Sequence, residues 1–208
     1  MKPNLEKHNY LFLSITWIGL LCFVLFFILG AEYYPGGSNV NPKSIGFNWL
    51  TNYWSELLGN HAKNGQQNTA RPFGITGAIS LALTLSVFWI FIPSKLNLVD
   101  GYKRIIQSAG LLAMICSILI FGQAHDVFIT LSVMFGSIAF LLLLIGLWNS
   151  NYHFLFWWCL LCLALILLNT VIYLTNWKIN SLAALQKITF VIGIAWTAFT
   201  ASFLSIRR

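Results

Sequence analysis

Charge is what this chain has least of: Asp, Glu, Lys and Arg make up 8% of its 208 residues, against about 25% in a soluble globular domain. With a hydrophobic fraction of 58% and a mean hydropathy of +0.77, that scarcity excludes a soluble fold. Acids are scarcest, five against twelve Lys and Arg, so the formal net charge is +7 and the pI near 9.4. In a soluble protein this balance would point to nucleic acid. Here the cations sit beside the ends of apolar runs, where they meet lipid headgroups, and no nucleic-acid partner is expected. The polar segments contain no cysteine: Cys22, Cys116, Cys159 and Cys162 all fall inside apolar runs. That excludes a disulfide framework and leaves them as small buried hydrophobes. Cys159 and Cys162 have CxxC spacing, but no acid, His or base lies near them in the sequence to activate a thiol.

What is abundant is long apolar sequence. A helix needs about 20 mostly apolar residues to cross a ~30 Å hydrocarbon core, and six runs qualify: 10–30, 73–92, 105–122, 127–148, 154–174 and 185–204. They are apolar on every face, without the alternation of a barrel strand, and in lipid the backbone must satisfy itself. The expectation is an all-α, polytopic membrane protein, a bundle of six transmembrane helices forming a single domain. The first run is too long for a signal-peptide core and precedes no clear cleavage site, so it reads as an uncleaved span.

Six spans put both termini on one side. Lys2, Lys7, Lys95, Lys103, Arg104, Arg207 and Arg208 then share that side, against Lys43, Lys63, Arg71, Lys178 and Lys187 on the other. The positive-inside rule makes the first side cytoplasmic. The expected location is a bacterial inner membrane, with both termini in the cytoplasm.

The residues capable of chemistry gather in the long polar loop 31–71. After the Tyr33-Tyr34-Pro35-Gly36-Gly37 turn, the stretch 46–59 carries Phe47, Leu50, Trp54, Leu57 and Leu58 at helical spacing. Fourteen residues at about 1.5 Å each are too short to span, so an amphipathic interfacial helix is expected there, with Asn52 and Glu56 on one face. The turn from Gln123 to Asp126 and the connection 175–186 share the loop's side of the membrane.

The order Tyr34–Gly37, then Asn52–Leu57, then Asn64–Asn68, followed by a span, resembles a family of small prokaryotic multi-pass membrane proteins of unknown function (the domain-of-unknown-function 998 type). That family is similar in outline to the Frag1/DRAM-like proteins. The chain departs from the pattern in two places: Glu56 stands where the family has Asp, and Leu58-Gly59-Asn60 where it has Gly-Arg. The resemblance implies six spans and brings no reaction, cofactor or ligand.

Two chemistries compete for the polar residues. In one, a non-enzymatic protein binds a membrane lipid or other hydrophobic ligand through Asn52, Trp54, Ser55, Glu56, His61, Arg71, His125, Asp126 and Lys187, with no cofactor. In the other, a membrane-embedded hydrolase acts on a lipid, with Glu56, His125 and Asp126 as catalytic candidates. Its zinc-like ion would be held by His61, His125 and Asp126 with Glu56. The spacing favours the first, since no paired-His motif is present and Glu56 has ion-pair partners on offer in Arg71 and Lys187. A third reading, a small-solute transporter, would call for an intramembrane acid or an inverted repeat, and neither is visible. A homo-oligomer or a membrane-protein partner remains open.

Overall fold

The computed structural model describes residues 2–120 and 124–206, without the side chains of residues 2–7 and of His125. Gly122, Gln123 and the arginine pair Arg207-Arg208 therefore lie outside the described residues. Six helices account for most of the rest: α1 Lys2–Glu32, α2 Arg71–Phe91, α3 Asp100–Leu119, α4 His125–Asn149, α5 His153–Thr175 and α6 Ile179–Ile206. Each is long and apolar enough to cross a membrane. The chain is an all-α integral membrane bundle. Among the described residues there is no strand, only isolated bridges at Gly36–Ile45 and His61–Gln67.

Three helix starts differ from the hydropathy reading, α1 beginning at Lys2 rather than 10. The third span begins at Asp100 rather than 105. The connection expected over 175–186 shrinks to three residues, because α6 already starts at Ile179. Asn176 and Lys178 take left-handed backbone there, with φ of 55° and 49°, and turn the chain within one step. Hydropathy missed this because the first turns of α6 are polar.

The helices pack in chain order, each on the next, and α6 closes the ring on α1. Trp196 of α6 fills the middle, its ring against Phe88 of α2 and Phe140 of α4, and its indole N–H donates to Leu155 O of α5 at 3.2 Å. Apolar side chains such as Leu21, Leu83, Leu141 and Val191 cover the outside, as a lipid solvent requires. Between helices, Asn169 donates to Thr189 Oγ1 at 2.7 Å and Gln107 to Ile90 O at 2.8 Å. At one end Lys95 donates to Asn9 Oδ1 at 2.8 Å, and Asn9 to Ser205 O at 3.1 Å. These bonds tie the start of α1 to the 3-10 turn Ile92–Lys95 that follows α2 and to the end of α6. Residues 33–70 cover the opposite end.

Close helix contact is concentrated at particular glycines. A Cβ on Gly110 would stand 2.3 Å from the Trp89 ring, and one on Gly136 would meet only Ala113 at 3.8 Å. A Cβ on Gly193 would meet nothing within 4 Å, so this glycine serves no close helix approach. Gly110→Ala is therefore expected to cost about 1–3 kcal/mol through overpacking. Gly136→Ala should be neutral or gain up to about 1 kcal/mol from helix propensity. Melting temperatures of the two variants in one detergent check the pair.

Candidate functional site at the capped end

The cap is built from turns braced by asparagines. Gly36 and Gly37 have φ of 135° and 81°, and a Cβ on Gly37 would lie 2.3 Å from Asn64 N. Only glycine lets this turn pass beneath residues 63–64. Asn64 N donates to Gly36 O at 3.2 Å, and Lys63 N to Tyr34 Oη at 3.0 Å. Asn68 Nδ2 donates to Glu56 O and Gly59 O, both at 2.9 Å, while its Oδ1 accepts from Ala70 N at 3.1 Å. That one side chain joins the middle of the cap to the start of α2.

The helix expected over 46–59 is reduced to a 3-10 helix at Trp54–Leu58. The cause is competition from side chains. Asn48 Oδ1 takes the N–H groups of Leu50 and Thr51 at 2.9 and 3.2 Å, and Asn52 Oδ1 takes that of Asn48 at 2.7 Å. These bonds favour turns over an α-helix. Phe47 and Trp49 precede the helical turn and are still drawn to it: Phe47, Trp49 and Trp54 pack mutually at centroid distances of 5.4 to 6.0 Å.

Asn52 is the centre. Fully buried, it donates from Nδ2 to Gly37 O at 2.6 Å and to Glu56 Oε2. Its carbonyl accepts from Lys187 Nζ at 2.5 Å. Lys187 also donates to Ala183 O at 3.0 Å and stands over the Phe47 and Trp54 rings, 5.4 and 5.6 Å from their centroids. Two further bonds hold the cap to α6: Trp54 N to Gln186 Oε1 at 3.1 Å and Tyr53 Oη to Ile179 O at 3.2 Å. Glu56 is only 8% exposed. Its Oε1 and the Trp54 indole Nε1 have no hydrogen-bond partner among the described residues. Burial pushes the Glu56 carboxyl above its usual range; the Asn52 bond, then Lys63, the Tyr53 backbone and Lys187 pull it the other way. Burial likewise raises the Tyr34 and Tyr53 hydroxyls.

Of the residues named from sequence, Asn52, Trp54, Glu56 and Lys187 meet in this cluster, and Ser55 lies half-buried within the same 3-10 helix. Arg71 does not pair with Glu56. As the first residue of α2, its Nε donates instead to Leu58 O at 3.2 Å. His61 is exposed in its bridge with Gln67. Asp126 lies within the first turn of α4 rather than before it, and accepts from Tyr173 Oη at 2.7 Å. The side chain of His125 lies outside the described residues. Among the described residues no three His, Cys, Asp or Glu side chains stand together as metal ligands. Cys159 and Cys162 are buried in the core.

Tyr34, Phe47, Asn48, Asn68 and Gln186 belong to the site and were not among the binding residues named from sequence. The asparagines carried a signal, their density in the loop. Gln186 carried none, because only the packing of α6 under the loop brings it in.

Asn52→Leu keeps the volume and strands Gly37 O and the Asn48 N–H, each at about 1–3 kcal/mol. A lower melting temperature and faster tryptic cleavage after Lys63 are expected, with Ser55→Ala changing neither. Against known proteins, the chain matches no family model, no curated protein and no solved structure.

Proposed function

We propose that this is a non-enzymatic membrane protein that binds a lipid or similar amphiphile at the capped end, its polar group beside the cap and its chain against α6. The observation that carries this is a single stripe of α6. Lys187, Val191, Ile194, Ala195, Ala198 and Ser202 recur at helical spacing. Lys187 meets the cap, and the others line an apolar groove with Trp17 and Val24 of α1 and Trp158 of α5. From Val191 to Ser202 the groove runs about 16 Å, half of the ~30 Å hydrocarbon core and so the depth of one leaflet. Trp17 Nε1 donates to Ser202 Oγ at 3.1 Å and marks the far end of that stripe.

The head of the groove offers matching chemistry. Lys187 spends two of its three N–H donors on carbonyl oxygens and keeps one. Trp54 Nε1 is a second donor without a partner, buried where the cap meets α6, and Lys63 adds a cation near Glu56. Donors of this kind suit a phosphate-bearing headgroup. In this reading the capped end faces outward from a bacterial inner membrane with both termini in the cytoplasm, as the distribution of Lys and Arg favours. The resemblance through Tyr34–Gly37, Asn52–Leu57 and Asn64–Asn68 belongs to it as well, since those segments build the cap.

A native mass spectrum from mild detergent should show one retained lipid. Val191→Trp, which fills the groove, and Lys187→Met, which removes the head donor, should each lower its occupancy severalfold. Occupancy unchanged in both variants would sink the proposal. Orientation is read separately: with the four native cysteines replaced, Asn64→Cys should react with an impermeant thiol reagent from outside intact cells. Labelling only after lysis would invert the topology.

A further inference from the structure

A buried carboxyl group with one oxygen held and the other bare is an arrangement that favours the neutral acid. Among the described residues Glu32, Asp100 and Asp126 are exposed, and Glu56 is the one buried acid. Its Oε2 accepts from Asn52, while its Oε1 has no partner, so ionisation would leave a dry negative oxygen beneath the cap. The neighbours do not cancel that charge. Lys187 of α6 is engaged by Asn52 O and Ala183 O, Arg71 of α2 by Leu58 O, and Lys63 of the loop is exposed. The end of α1 offers only the exposed Glu32 and Tyr33, and the hydroxyls of Tyr34 and Tyr53 stay neutral at ordinary pH.

We infer that Glu56 is a proton-binding site that governs closure of the cap over α6: protonated it holds the cap shut, ionised it loosens it. The route runs through Asn52. Its carboxamide joins Glu56 to the Gly37 turn, and its carbonyl is the point where Lys187 pins the loop to α6. An ionised Glu56 needs either water or a cation. Water enters only by parting the cap. Turning Lys187 toward the carboxylate draws it off Asn52 O, which weakens the same pin. In an open cap the carboxyl is solvated and titrates in the ordinary range; in the closed cap burial raises it. Closure therefore takes up a proton. The closed cap is fully favoured below the ordinary carboxyl range and loses that contribution as pH rises through the raised value. This stands whether or not a lipid occupies the groove.

The test uses the full chain with its four native cysteines replaced and Ala62→Cys as reporter, since Ala62 belongs to the cap and is buried in its apolar cluster. The labelling rate with a methanethiosulfonate is divided by that of the same protein carrying Glu56→Gln at the same pH, which cancels the ionisation of the thiol. The ratio is expected to be near one in acid and to rise severalfold as pH passes above the ordinary carboxyl range. A ratio of one throughout would overturn the inference. A second readout does not depend on the variant folding. Infrared titration of wild-type protein with 13C-labelled glutamate should show one of its three glutamates (Glu6, Glu32, Glu56) keeping its proton above the ordinary range. If all three titrate together in that range, the inference fails. Loss of the retained lipid in native mass spectra with the pH-dependent ratio intact would sink the lipid reading and leave this one standing.

Discussion

Every buried backbone N–H and C=O needs a partner, and this chain meets that need in two ways. Within the apolar runs the partner is the next turn of the helix, and six spans follow. In the cap no helix longer than five residues forms, and the partners are asparagine side chains. Asn48, Asn52, Asn64 and Asn68 each bond backbone groups that the irregular chain leaves open. A loop of nearly forty residues without regular structure is thereby held compactly on the bundle. The cost of an orphan buried polar group is what makes those four positions demanding.

Against that background the few unsatisfied atoms of the cap carry information. Glu56 Oε1 and Trp54 Nε1 are left bare in a loop where neighbouring asparagines are used on both ends of the carboxamide. One is an acceptor in need of a proton or a donor, the other a donor in need of an acceptor. They lie where the loop meets α6, with Lys187 over the Trp54 ring and one helical turn before Val191, where the apolar groove begins. The proposed ligand site and the proposed proton site share this seam because both arise from one fact. The loop buries an acid and an indole there without completing their bonds.

The bundle beneath is held together by different contacts. Its contacts depend on matching large rings to glycines, as Trp89 to Gly110, and on Trp196 filling the centre where α2, α4, α5 and α6 converge. The cap shares an apolar cluster with it, Leu57, Phe47 and Trp54 packing with Phe23, Phe27 and Phe190, and is further tied to α6 by individual hydrogen bonds at Asn52, Tyr53 and Trp54.

The sequence by itself determined the fold class, the number of spans and the segment where the polar chemistry gathers. An unbroken apolar run in lipid has one outcome, and it depends on no distant residue. The spacing of Asn52 and Glu56 was legible too, although their bond spans a turn into a 3-10 helix rather than one face of a longer helix. Tertiary structure alone decided the partners. It gave Arg71 to Leu58 O instead of Glu56, left His61 in solvent, bound Asp126 to Tyr173, and brought Gln186 and Lys187 under the loop. Those pairings join residues up to 135 positions apart. They follow from where α6 starts and how it closes on α1, and no local pattern of residues encodes that.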